Sequence, residues 1–143
     1  MNKVSEIMTK EVEFCSPNDS VATAAQKMRN IDCGSLPICE GKTVVGIITD
    51  RDIVLNVVAD GKDSTSVTCQ ECMTTSVISC SPDTDVHECA RMMAENQIRR
   101  IPVVQNGELV GICAIGDLAT INIFVNESGD ALSRISEPHS ANH

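Results

Sequence analysis

Tryptophan and tyrosine are absent from the 143 residues and phenylalanine occurs only twice, so any apolar core must be built from aliphatic and sulfur side chains. The same shortage removes the aromatic platforms on which single-stranded nucleic acid stacks. Positive charge is also scarce. Eleven Lys and Arg face twenty Asp and Glu, a formal charge of -9, and the field of such a molecule repels polyanions. Nucleic acid is therefore not an expected partner. No apolar run approaches the length that spans a bilayer, and the opening MNKVSEIMTKEVEF lacks the apolar stretch of a signal peptide. These absences lead us to expect a cytoplasmic protein with no membrane partner. Eight Cys are present, but without a secretory signal and with enough aliphatic residues for a core they are expected to be mostly reduced.

What the chain does have is an internal copy of itself. Shifted by about 65 residues, the halves align without a gap, and roughly 15 of about 49 positions are identical. EIMT (6–9) faces ECMT (71–74), and CSP (15–17) faces CSP (80–82). Met28, Pro37, Gly46 and Asp52 face Met93, Pro102, Gly111 and Asp117. The phrases GIITDRDIV (46–54) and GICAIGDLA (111–119) match in this way, except that Thr49 is replaced by Ala114.

Each copy reads as strand, helix, strand, strand, helix. A short strand (Val12 to Cys15; Val77 to Cys80) precedes a Ser-Pro turn and an amphipathic helix entered at Asp19 or Thr84, with Val21, Ala25, Met28 and Val86, Ala90, Met93 at helical spacing. Two strands joined by a tight turn follow, SLPIC with TVVGIIT and RIPVV with LVGICA. A second helix runs from about Asp50 to Ala59 and from about Ile115 to Phe124. Two such units imply a mixed α/β fold, with the repeats at 3–60 and 69–125 joined by a linker at 61–68. Residues 126–143 are polar and aperiodic, and are expected to be a disordered tail.

This tandem, with IMT at the opening, Pro in the middle strand and a Gly-x-x-Thr-x-x-Asp run into the last helix, resembles the cystathionine β-synthase (CBS) domain pair, or Bateman module, over about residues 3 to 125. The resemblance implies two CBS repeats packed with pseudo-two-fold symmetry. It also implies a free-standing regulatory module, without catalysis and with no required cofactor. Its regulatory ligand would be an adenosine-containing molecule such as AMP, ADP, ATP, S-adenosylmethionine or NAD. A homodimer that signals to a regulated partner protein is implied as well. Dimerisation also fits the second helices, because DIVLNVVA and DLATINIF carry more apolar residues than one sheet face can cover.

Glycine inside an apolar strand gives up packing, usually so that something can approach the backbone, and Gly46 and Gly111 fit that pattern. Pro37 and Pro102 each remove a ladder donor, which would leave a notch for an adenine edge against aliphatics such as Ile47. Thr49 and Asp52 fall where the last strand meets a helix. A hydroxyl and a carboxylate there suit a phosphate and a ribose diol. By resemblance, Asp52 and Asp117 match the ribose-binding aspartate, and Thr49 matches its hydroxyl partner. Thr-x-x-Asp at a helix start is equally a capping box, yet Ala114 is a poor cap, so the box reading leaves Asp117 without a partner.

Arg99 and Arg100 precede Pro102, where the family often places cations that reach a nucleotide's phosphate, whereas Gly34 and Ser35 stand before Pro37. The alternative for the two arginines is a solvated strand edge or a surface ion pair. One competent site per chain is expected, combining Thr49, Asp52, Arg99 and Arg100, with the Asp117 side weak or empty.

The remaining motifs are less specific. Cys69 and Cys72 form a lone CxxC without further clustered ligands, and Cys72 falls at the position of Ile7, which favours packing over metal binding. A Cys15–Cys39 disulfide is geometrically allowed if the strands they end are parallel neighbours. His87 is read as a surface residue, and His139 and His143 lie in the tail. No nucleophile has a recognisable base partner, so an enzyme is not expected. Two other classes stay open: a redox- or metal-responsive stress protein using its cysteines, and a ligand-free oligomerisation scaffold.

Overall fold

Helix α1 (Val21–Ile31) begins where Ser20 accepts a hydrogen bond from the Thr23 amide at 3.2 Å, and it buries Val21, Ala24 and Met28 at helical spacing. It ends at Asp32, whose left-handed φ of 54° lets the Cys33 amide reach back to the Met28 carbonyl at 2.9 Å. Helix α4 (Val86–Asn96) is built the same way. Asp85 accepts from the His87 amide at 2.8 Å, Val86, Ala90 and Met93 are buried, and Gln97 closes the helix at φ 55°. Both caps fall one residue later than the sequence pattern places them. Asp19 and Thr84 instead accept from the amides of Ser16 and Ser81, closing the Ser-Pro turns at 2.9 and 3.0 Å.

The structure is a computed structural model that describes residues 2–119. The expected tail at 126–143 and the second half of the last helix lie outside the described residues. Strands β1 (Ser35–Glu40) and β2 (Thr43–Thr49) form an antiparallel hairpin with a bulge between Ile38 and Cys39. Strands β3 (Arg100–Gln105) and β4 (Glu108–Ala114) lie side by side, joined by Asn106 and Gly107, both at positive φ as a tight two-residue turn requires. The fold is thus mixed α/β, as the repeat pattern implies.

Two elements differ from expectation. The strands read over Val12–Cys15 and Val77–Cys80 reduce to single parallel bridges, Cys15 with Ile38 and Cys80 with Val103. Cys15 uses its amide on the Pro37 carbonyl (3.1 Å) and its carbonyl on the Cys39 amide (2.8 Å), and the next ladder donor would be residue 17, a proline without an N–H, as is Pro82 after Cys80. The ladder therefore has nothing to continue with. The second helix of the first copy is not uniform either: α2 (Asp50–Ile53) runs on as a π-helix over Val54–Val58, closed by the Ala59 amide on the Val54 carbonyl at 2.9 Å. Its counterpart in the second copy is α5 (Ile115–Ala119).

The described chain divides into two compact bodies, and they do not follow the two sequence copies. The first-repeat body comprises Val12–Val77 with Asn106–Leu109, and the second-repeat body comprises 2–11, Ile78–Gln105 and 110–119. The opening turn of each copy is therefore built into the body of the other. In the second-repeat body the amide of Val4 bonds Thr84 O (2.9 Å), that of Ser5 bonds Pro82 O (3.0 Å), and Thr9 exchanges both backbone hydrogen bonds with Ile112. In the first-repeat body, helix α3 (Cys69–Cys72) makes the equivalent bonds: Cys69 to Asp19 O (2.8 Å), Gln70 to Pro17 O (3.0 Å), and Thr74 with Ile47 in both directions. The burial pattern agrees, since Val4 belongs to the core of α4 and β3, and Cys69 to the core of α1 and β1. In the first-repeat body β2 also pairs with the tip of β4, through Thr43 and Glu108.

Candidate functional site

The β1–β2 hairpin gathers most of the residues singled out in the sequence. Ser35 is paired with Thr49 and Pro37 with Ile47, so these four share one face of the hairpin, because directly opposed residues and residues two apart point the same way. The other face carries Leu36, Ile38 and Ile48, all fully buried. Ser35, Ile47 and Thr49 are left half-buried, and Pro37 is buried with its carbonyl held by the Cys15 amide. Gly34 closes the group: its carbonyl accepts from the Asp50 amide at 2.8 Å, and a Cβ at this position would stand 2.8 Å from Asp50 Oδ2.

Asp52 enters through the first turn of α2. Its Oδ2 accepts from the Thr49 amide at 2.9 Å, while Thr49 Oγ1 accepts from the Asp52 amide at 3.0 Å, a reciprocal capping box. The box uses one carboxylate oxygen and holds the half-buried side chain against Thr49, the residue paired with Ser35. Gly34, Ser35, Pro37, Ile47, Thr49 and Asp52 therefore come together in the first-repeat body, whereas Arg99, Arg100 and Asp117 belong to the second-repeat body.

In the second-repeat body Asp117 is not left without a partner, which corrects the expectation. Its Oδ2 accepts from the Ala114 amide at 2.9 Å. The carboxylate half of the box needs only a backbone donor, which Ala supplies as well as Thr, and only the hydroxyl half is lost. Arg99 occupies the place of Gly34, its carbonyl accepting from the Ile115 amide at 2.9 Å, and its side chain is exposed. Arg100 opens β3 and is half-buried.

Both strand glycines are also reassigned. Gly46 alternates with Ile47 and so faces the core with Ile48. A Cβ there would meet Met73 Sδ at 2.5 Å and Thr74 O at 3.0 Å. At Gly111 it would meet Met8 Sδ at 2.6 Å and Thr9 O at 3.0 Å. The close approach that these glycines permit is made by the MT dipeptide of the exchanged opening turn, not by a ligand. Both motifs are visible in the sequence as repeat punctuation, but their contact is not.

The cysteines depart from expectation as well. Cys15 and Cys39 are both free thiols. Cys15 lies beside Cys69, whose thiol donates to the Ser20 carbonyl at 3.7 Å, and this neighbour lowers the pKa of Cys15 while that of Cys69 is raised. Burial alone pushes Cys39 up to about 11. Cys72 is buried in the first-repeat core, and burial raises its pKa. Among the described residues, no three His, Cys, Asp or Glu side chains form a group able to hold a metal ion.

Nothing in the sequence pattern points to the groove of about 420 Å³ between α1 and α2, floored by Met28 and Ile53 and rimmed by Arg29, Asp32 and Asp50 next to Gly34. The one available signal is that the second-copy counterparts of these charged residues are Ala94, Gln97 and Ile115.

An α/β repeat pair that presents a hairpin face and a capped aspartate, with each copy completed by the opening turn of the other, defines a tandem-repeat binding module. The chain belongs to the CBS-domain family, whose model matches residues 4–59 and 69–122. CBS domains are generally regulatory ligand-binding modules. The CBS domain-containing protein YhcV of Bacillus subtilis is 40% identical over 137 residues, covering 95% of this chain and 96% of that protein. The crystal structure of hypoxic response protein I with two coordinated zinc ions, whose sequence relative is from Mycobacterium tuberculosis, superposes with a TM-score of 0.75 at 35% identity, covering 84% of this chain and 98% of that one. A hexameric CBS-CP12 protein from bloom-forming cyanobacteria gives a TM-score of 0.71 at 31% identity, covering 87% and 70%. No helix among the described residues is long and apolar enough to cross a membrane.

Proposed function

We propose that this chain is a non-enzymatic regulatory module whose ligand is an adenosine-containing nucleotide, held at the Ser35–Thr49 end of the first-repeat hairpin. The observation that carries the reading is the common face of Ser35, Pro37, Ile47 and Thr49 with the half-buried Asp52 beside it. Ile47 supplies an apolar surface for the base. Asp52 has one oxygen committed to the box, and Oδ1 is assigned to a ribose hydroxyl. The Asp117 end is the weaker one. Ala114 offers no hydroxyl.

The regulatory output passes to a partner protein from a homodimer. Exposure of Val54 (53%), Leu55 (47%) and Val58 (64%) on the π-helix supports the dimer, since that much apolar side chain on one turn is costly to leave in water. Calorimetric titration with AMP, ADP, ATP, S-adenosylmethionine and NAD tests the reading, on the native chain and on Asp52→Ala. Saturable binding of at least one of them, weakened about tenfold or more in the variant, is the expected result. Affinity unchanged in Asp52→Ala, or no binding by the native chain, overturns it.

A further inference from the structure

The second-repeat body holds three thiols that the nucleotide reading does not use. Cys80 comes from the isolated bridge against Val103, Cys89 from the core face of α4, and Cys113 from β4. All three lie in one apolar core, and Cys89 is close enough to Cys80 and Cys113 that each of them raises its pKa. Cys89 and Cys113 are fully buried, while Cys80 keeps 7% of its surface open. The trio is particular to this copy: the residues matching Cys89 and Cys113 in the first repeat are Ala24 and Ile48.

We propose that Cys80 and Cys89 form a peroxide-oxidised pair, with Cys80 the attacked thiol and Cys89 the resolving one. Three observations assign the roles. Cys80 is the member that solvent reaches. The contact from Cys89 holds the Cys80 thiol below its ordinary range against the opposing effect of burial, which favours the nucleophilic thiolate. Cys89 sits between two sulfurs and away from water, and its thiol is held protonated.

The chemistry balances with hydrogen peroxide as oxidant. The Cys80 thiolate attacks one peroxide oxygen, the O–O bond breaks, and Cys80 becomes a sulfenic acid while hydroxide leaves and takes a proton to become water. The Cys89 sulfur then attacks the sulfenic sulfur. The S–S bond forms, the S–O bond breaks, and the oxygen departs as a second water with the Cys89 proton. Two thiols have each lost one electron and one proton, and the peroxide is reduced to two waters. The product ties the bridge residue before the Ser81-Pro82 turn to the first half of α4.

The test treats the full folded chain with graded hydrogen peroxide, blocks remaining thiols with iodoacetamide, and digests without reductant. Trypsin alone leaves Cys69, Cys72, Cys80 and Cys89 in one peptide, but cleavage before Asp83 and Asp85 separates Cys80 from Cys89, and cleavage after Glu71 separates Cys69 from Cys80. The expected result is the Cys89 peptide joined to the Cys80 peptide, two hydrogens lighter than the sum of the pair. Cys89→Ala is a mild change because Ala24 fills the same place in the other copy. In that variant the linkage is lost and Cys80 is trapped by dimedone as a sulfenic acid. Cys80→Ser leaves Cys89 a thiol, and Cys113→Val keeps the linkage. Circular dichroism checks that each variant stays folded. A native chain in which peroxide oxidises the half-exposed Cys33 but leaves Cys80 and Cys89 unlinked overturns the proposal. So does linkage of Cys89 to Cys113 or to Cys69, or linkage of Cys89 that persists in Cys80→Ser.

Discussion

The two bodies share a backbone plan, and the contrast between their candidate sites rests on a few side chains. At the strand-to-helix junction the first has Thr49 with Asp52 in a two-way box, and the second has Ala114 with Asp117 in a one-way version. The shared part, a carboxylate on a backbone amide, fixes the turn in both. The unshared part, a hydroxyl, is available for a second task only in the first. Before the middle strand the contrast runs the other way, with Gly34 and Ser35 in one body and Arg99 and Arg100 in the other. At these positions the duplicated unit keeps the group that positions its chain and changes the neighbouring ones.

The largest effect is expected where the copies differ in ligand chemistry. Asp52→Ala should weaken nucleotide binding by about 10- to 100-fold, the worth of a hydrogen bond to a charged group. Asp117→Ala should leave calorimetric affinity nearly unchanged, and equal losses in both variants would erase the contrast between the bodies. Next come the glycines, where the bodies should behave alike. Gly46→Ala and Gly111→Ala each push a Cβ into a methionine and a backbone carbonyl, and each should cost about 1–3 kcal/mol in urea unfolding. A cost in only one body would show that the two opening turns are not held equally.

Smaller effects sharpen the comparison. Thr49→Ala should cost about 1 kcal/mol, and Ala114→Thr should recover up to about that amount by completing the box in the second body, read by denaturant unfolding. Cys39, whose counterpart is Val104, supplies a pH test. Its folded pKa of about 11 exceeds the ordinary 9.0, so the folded state holds the proton more tightly; the stability it contributes is complete below pH 9 and is lost as pH rises toward 11. After allowance for solvent screening, Cys39→Val should lessen that alkaline loss by about 1 kcal/mol in melts at stepped pH.

The fold was largely legible because its signals are local. Helical spacing at Val21 and Met28, the Asn106-Gly107 turn and the ungapped repeat each report on a few neighbouring residues, although the alanine that α1 buries is Ala24 and not the expected Ala25, which is exposed. The hairpin strands agree with the pattern to within a residue. What the pattern cannot carry is which distant segment fills a space. Gly46 looks like room for a ligand until Met73 is seen against it, and Cys15 looks like a partner for Cys39 until Cys69 arrives from the next copy. The uniform helix read over Asp50–Ala59 missed the π-turn for a related reason, since a single widened turn leaves the apolar spacing almost intact. At the site, the residue types were legible and their pairing was not. The common face of Ser35 and Thr49 follows from strand register, and the partner of Asp117 is a backbone amide with no sequence signature.

The exchange of opening turns bears on how such a protein could have arisen. A lone ancestral copy would have left the bed above its strand glycine bare, and could have closed only by trading arms with a second molecule. Fusing two copies into one chain turns that trade into an internal one, independent of concentration. It also means that separating the halves at residues 61–68 should yield two incomplete pieces, each missing the arm that stayed on the other.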